Sequence, residues 1–285
     1  MNFSKLSNRS KGIVFIIISA FGFAMMSAFV KLSGDLPSFQ KTFFRTIIAA
    51  LVAFLTILNA KGSFFGKKEN QKLLILRSSL GTLGVFFNFY AIDRLILSDA
   101  NTLNKLSPFF LIIFSWLFLK EKINLKQILS IILAFIGALF IIKPSFNSEI
   151  IPAIIGVLGA MFAASAYTCL RALREKESPD TIVFYFSFFS SVITLPIMLL
   201  SYKPMSTLQL TYLIFAGVFA SLGQFGVTYA YKFAPSKEIS IFDYSNIIFS
   251  ALISLFLFGM LPDYLSIIGY IIIFIASLYM FIFNK

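Results

Sequence analysis

A chain of 285 residues with 59% hydrophobic and only 13% charged residues is excluded from the ordinary soluble class, where about a quarter of residues carry charge. Its net charge of +12 lies in short clusters between long apolar runs, a pattern that sets orientation in a membrane and argues against a nucleic-acid-binding face. With no histidine and one cysteine, Cys169, the chain offers no disulfide framework, no Cys/His metal site and no imidazole base, so neither metal nor cofactor is expected and an enzyme is disfavoured.

A helix needs roughly 20 apolar residues to cross the hydrocarbon core. The polar, basic segment from Met1 to Lys11 precedes an apolar run that is too long for a usual signal sequence. That run is therefore read as a retained first helix over 12–31. The next four spans are expected at 38–59, 72–92, 98–118 and 124–142. A second group follows at 152–171, 181–201, 208–231, 239–259 and 264–283. Gly34-Asp35 with Pro37, Gly62-Ser63, Lys143-Pro144, Ser178-Pro179, Pro204, Pro235 and Pro262-Asp263 mark the short connections. Most of the 24 Lys and Arg residues fall on the side of the N-terminus, from Lys5, Arg9 and Lys11 through Lys61, Lys67, Lys68, Lys72 and Arg77 to Lys285. Both termini are therefore expected in the cytoplasm.

The halves are related. An offset of 139 carries Leu83, Gly84, Phe86, Tyr90 and Ala91 onto Leu222, Gly223, Phe225, Tyr229 and Ala230, and carries Phe110 and Ser115 onto Phe249 and Ser254. Ser27-Ala28-Phe29 and Pro37 correspond more loosely to Ser165-Ala166-Tyr167 and Pro179. Five spans per half invert the second copy relative to the first. The fold class is thus an all-α integral membrane protein of ten transmembrane helices, built as two inverted five-helix repeats at 12–142 and 152–283.

Polar side chains within spans are costly and should face the bundle or an aqueous cavity. In the third and fourth spans these are Asn88, Tyr90, Asn101, Thr102, Asn104, Lys105 and Ser107, followed by Pro108. Spacings of three and four let Asn101, Asn104, Lys105 and Pro108 share one face of a helix kinked by the proline. The matching stretch of the second half, Ser240 to Asn246, carries Asp243, a carboxylate able to bind a cation or a proton or to pair with Lys105. Tyr167, Gln224, Tyr229 and Tyr231 could supply aromatic walls and hydrogen bonds. Arg45, close to the start of the second span, can snorkel to the interface, pair structurally or bind an anion, and the first two readings are favoured. Glu121 is read as a topology and capping feature. Gly81, Gly84, Gly156, Gly159, Gly223 and Gly226, spaced by three, suit close helix contacts.

The stretches Phe89-Tyr90-Ala91-Ile92, Leu97-Ser98-Asp99-Ala100, Leu106-Ser107-Pro108-Phe109 and Leu117 to Glu121 resemble the first repeat of the EamA family of the drug/metabolite transporter superfamily. Phe242-Asp243-Tyr244 and Leu257 to Asp263 are similar to its second. Ile247 stands where the first repeat has Pro108, and Met260 where Glu121 stands, so strict symmetry of function is not implied. The resemblance implies a central cavity built mainly by the first, third, fourth, sixth, eighth and ninth helices. It also implies substrates such as amino acids, their derivatives or nucleoside-type metabolites.

The expected function is a secondary transporter, exporter or importer, in a bacterial-type inner membrane, working by alternating access. Its expected partners are a small-molecule substrate, membrane lipid and a coupling proton or ion, with no nucleic acid. Asn101, Asn104, Lys105, Tyr90, Tyr167, Gln224, Tyr229 and Asp243 are the candidate binding residues, and Pro108 the candidate kink. The alternative is a non-transporting membrane scaffold or accessory subunit, in which every intramembrane polar group is consumed by helix pairing.

Overall fold

A computed structural model describes residues 6–119, 123–143, 150–173, 175–234 and 239–283, with no description of the side chains of 115, 119 and 240. The capping role expected of Glu121 lies outside these residues, as do Lys5, Pro144, Pro235 and Lys285. The chain runs through α1 (Asn8–Leu32), α2 (Ser38–Ala60), α3 (Gln71–Arg94), α4 (Leu97–Asn104), α5 (Ser107–Leu119) and α6 (Leu125–Ile142). It continues through α7 (Ile151–Leu173), α8 (Pro179–Leu200), α9 (Thr207–Phe233), a 3-10 turn (Ser240–Tyr244), α10 (Ser245–Phe258) and α11 (Tyr264–Phe283).

Local chemistry fixes the ends. Ser7 and Ser178 cap α1 and α8 through their hydroxyls, and Pro179 occupies the first turn of α8. Asn124 with Gln127, and Ser206 with Gln209, form capping boxes at α6 and α9. Nine helices among the described residues are long and apolar enough to cross a bilayer. The tenth span is the fourth, which a turn at Lys105–Leu106 divides into α4 and α5. The kink expected at Pro108 is thus a full break, so Asn101 and Asn104 lie on a different helix from Pro108. At the matching place in the second half a 3-10 turn runs directly into α10, with Ile247 where the first half has the proline.

The exterior is apolar, with Leu55, Leu129, Leu200, Phe256 and Ile271 exposed, whereas Ser19, Thr42, Thr46, Ser190 and Ser254 are buried. Lipid accounts for the first set. Thr42 and Thr46 satisfy their hydroxyls on carbonyls one turn back. Ser19 donates across to the Gly223 carbonyl at 2.8 Å, Ser190 pairs with the Thr82 hydroxyl at 2.6 Å, and Ser254 donates to the Met260 carbonyl at 3.0 Å.

The closest packing joins one half to the other: α1 with α9, α3 with α7, α6 with α11, and α2 with α8. Each of the first two pairs is the pseudo-symmetric image of the other. Small residues permit the approach. A Cβ on Gly22 would lie 2.8 Å from the backbone nitrogen of Gly223, and one on Gly269 would lie 2.6 Å from the carbonyl oxygen of Gly137.

Outside the spans, Lys143 at the end of α6 donates to Asp263, which also accepts from the Ser266 backbone N–H at 2.9 Å. The Lys143 hydrogen bond holds the Asp263 carboxyl below the usual carboxylate range. A depressed native pKa contributes stability that is complete above the unfolded carboxylate value and is lost as pH falls through the native one. Both partners are partly solvated, so the contribution is under about 1 kcal/mol. Asp263→Asn should therefore narrow slightly the gap in melting temperature between pH 6 and pH 3 and leave the melting temperature at pH 8 to fall by the lost pair.

Candidate functional site

Between the halves lies a cavity with an empty volume of about 990 Å³, its open mouth included. Its walls come from α1, α3, α4, α5, α7, α9 and the 3-10 turn, as the resemblance implied, and also from α2 through Arg45 and α8 through Phe186. The divided fourth span and the 3-10 turn of the ninth open onto it, and within a membrane protein such irregular backbone is tolerated where it lines a cavity or is buried in protein.

The polar centre is an ion pair that joins the halves. Lys105 Nζ donates to Asp243 Oδ2 at 2.7 Å, with side-chain exposures of 8% and 22%. The Tyr244 hydroxyl donates to the carbonyl of Lys105 at 3.1 Å, so the two residues that the offset of 139 equates are in contact. Asn101 is spent on structure: its Oδ1 accepts from Ser27 at 3.0 Å and its Nδ2 donates to Ser250 at 2.9 Å. Asn246 likewise donates to the carbonyl of Ala20 at 2.7 Å. These bonds tie the polar floor of the cavity to α1 and α10.

A second cluster faces the same space. Arg45 and Arg77 are 1% and 2% exposed and both line the cavity. The Arg77 guanidinium stacks 3.8 Å from the Phe186 ring centroid, and that of Arg45 lies 5.7 Å from the same ring. Arg77 Nη2 donates to Gln224 Oε1 at 3.1 Å. The Nε and Nη1 atoms of both arginines are buried with no protein acceptor. Tyr167 stands within electrostatic reach of Arg45, Arg77 and Asp243. Its ring meets Tyr231 edge-on, with centroids 6.4 Å apart.

Of the expected residues, Asn101, Asn104, Lys105, Pro108, Tyr167, Gln224 and Asp243 line the cavity. Tyr90 and Tyr229 do not. Tyr90 lies under the Arg94 guanidinium, 3.7 Å from its ring, and Tyr229 donates to Asp180 at 3.0 Å while stacking on Phe15 and Phe233. Two residues along a helix turn the side chain by about 200°, which is why Tyr231 faces the cavity and Tyr229 faces away.

Sequence reasoning misplaced Arg77 and weighted Arg45 toward snorkelling or pairing over anion binding. Arg45 does not snorkel and forms no ion pair among the described residues. Arg77, assigned to the basic cytoplasmic edge, is buried in the wall of α3. A signal was available, since Arg77 lies five residues inside the span expected from 72. A cation at that depth needs an internal role.

The sequence profile of the EamA-like transporter family matches residues 10–143 and 150–282. The chain is 33% identical over 270 residues to the pseudopaline exporter CntI of Pseudomonas aeruginosa, covering 94% of each. It is 28% identical to a riboflavin transporter of Brucella anthropi, covering 86% of this chain and 88% of that one. It is also 26% identical to human solute carrier family 35 member G1, covering 90% of this chain and 75% of that one. A solved crystal structure superposes with a TM-score of 0.70 at 13% identity, covering 95% and 96% of the two chains, and shares the fold.

Proposed function

The chain belongs to the EamA-like transporter family, a family of membrane transporters, and from that premise we propose that it carries a small organic metabolite by alternating access at the cavity between its halves. The units 12–142 and 152–283 rock about the glycine-lined contacts of α1 with α9 and α3 with α7. The break at Lys105–Leu106 and the 3-10 turn at Ser240–Tyr244 give the fourth and ninth spans the freedom to follow. Both termini face the cytoplasm of a bacterial-type inner membrane, and Asp243 is the site of a coupling proton or cation.

The observation that carries the reading is the cavity together with its unconsumed polar groups. A scaffold would spend its intramembrane polar atoms on helix pairing, whereas Arg45 and Arg77 keep donors free within the cavity wall. Among the relatives, one is named a pseudopaline exporter and another a riboflavin transporter, so small organic metabolites are the cargo class proposed. The reading is tested by thiol labelling of Asn104→Cys from each face of the membrane, in a chain freed of Cys169. An alternating cavity exposes position 104 to both faces.

A further inference from the structure

We infer that Arg45 and Arg77 form an anion-binding subsite and that the carried molecule is an organic acid whose carboxylate bridges the two guanidiniums. This inference rests on the transport reading and names the substrate class of the same cavity. It begins from a charge imbalance. Among the described residues Arg45, Arg77 and Lys105 line the cavity against one carboxylate, Asp243, which Lys105 already holds. Two permanently charged guanidiniums are left in a low-dielectric interior, close enough to repel each other. No aspartate or glutamate among the described residues pairs with either. Burial of that kind is destabilising unless a counter-charge arrives.

Neither arginine has a basic counterpart in the other repeat: the offset of 139 carries Arg77 to Ala216, and the correspondence of Pro37 with Pro179 carries Arg45 to Ser187. The surroundings nevertheless hold both in position. Phe186 gives each a face to rest on, and Gln224 fixes one edge of Arg77. Gly81 leaves room for the stack, because a Cβ there would lie 2.8 Å from Arg77 Nη1 and 2.8 Å from Phe186 Cε2. What remains is Nε and Nη1 on each arginine, oriented by packing and free to donate. Fixed planar donors of this kind suit a carboxylate better than a flexible ammonium would.

Asp243 shapes the rest of the ligand. It disfavours negative charge at its own end of the cavity and can accept an amine there once Lys105 yields. The preferred substrate therefore carries more acidic than basic groups, with its carboxylate toward Phe186 and any amine toward Asp243.

The test uses the full chain in detergent, with thermal unfolding read against matched probes: citrate, glutarate against its diamide glutaramide, and cadaverine. The acids are expected to raise the melting temperature in a dose-dependent way, while glutaramide and cadaverine leave it unchanged. Arg77→Lys, which keeps the charge and loses the planar fork, should weaken the acid response at least tenfold. Arg45→Gln and Arg77→Gln should abolish it, with ligand-free melting temperatures equal to or above the parent's because an unpaired buried cation is gone. Should a glutamine variant fail to fold, Gly81→Ala displaces the stack without removing charge and should also lose the response. The inference is overturned if no acid shifts the parent, if the amide or amine shifts it equally, if phosphate esters alone do so, or if the glutamine variants keep the acid response. Arginine-dependent acid binding with no flux in proteoliposomes would instead sink the transport reading and leave the subsite standing.

Discussion

Replacing Lys41 with methionine is expected to cost the folded chain about 3–5 kcal/mol, the largest stability loss of any single substitution considered. Lys41 Nζ meets Asp93 Oδ1 at 2.5 Å, and the two side chains are 0% and 17% exposed. The pair joins the start of α2 to the end of α3. Nearby, Lys31 Nζ donates to the carbonyls of Ile92 and Leu95 at 3.1 and 2.6 Å, so that corner is held wholly by charge-assisted bonds. Removing one partner strands the other in the interior. The double variant Lys41→Met with Asp93→Asn should recover most of the loss, since the stranded charge is gone. Equilibrium unfolding in detergent decides the matter. A Lys41→Met protein as stable as the parent would mean that the carboxylate finds another partner in Lys31 or Arg94.

Asp243→Asn is expected to reduce transport at least tenfold while costing stability only about 1–3 kcal/mol. The contrast with Lys41 is physical. Asparagine keeps an amide oxygen that can still accept from the stranded Lys105, whereas methionine leaves the Asp93 carboxylate no donor at that position. Loss of the carboxylate removes the only negative charge among the described residues that line the cavity, and with it the proposed site of the coupling cation or substrate amine. Exchanging the charges, Lys105→Asp with Asp243→Lys, should restore the melting temperature without restoring flux. A structural pair would tolerate the exchange in both measurements. Proteoliposome flux beside thermal unfolding separates the two roles.

The fold was written in the distribution of apolar residues. The span expected at 38–59 is Ser38–Ala60, and that expected at 264–283 is Tyr264–Phe283. Such agreement follows because the bilayer imposes one length and one polarity on every span. The break in the fourth span was legible only as a kink. Pro108 signals a lost hydrogen bond, but it does not reveal that Lys105 and Leu106 leave the helix to meet Tyr244 from the other half. The ninth span shows the limit more sharply, for no proline marks its 3-10 turn.

The candidate site was half legible. Lys105 and Asp243 stand out because a charge inside an apolar run is costly, and their pairing follows from the repeat. Arg77 was obscured by the rule that orients the protein, since a basic residue near a span's end reads as a topology signal. Tyr229 was chosen over Tyr231 because matching Tyr90 by the offset says nothing about which way a side chain turns. Helical phase relative to a cavity is a tertiary property. Gln224 and Phe186 acquire meaning only once Arg77 is seen between them.

The central claim is that the space between the halves opens to each side of the membrane in turn. Its most direct test places a single thiol at Asn104, in the cavity wall, after Cys169→Ser has removed the native one. A membrane-impermeant thiol reagent is then added to the medium of right-side-out vesicles, which present the outer face, and of inverted vesicles, which present the cytoplasmic face. The account predicts labelling from both faces and loss of flux in proportion to it. Labelling confined to one face, or absent from both in a folded protein, would contradict it.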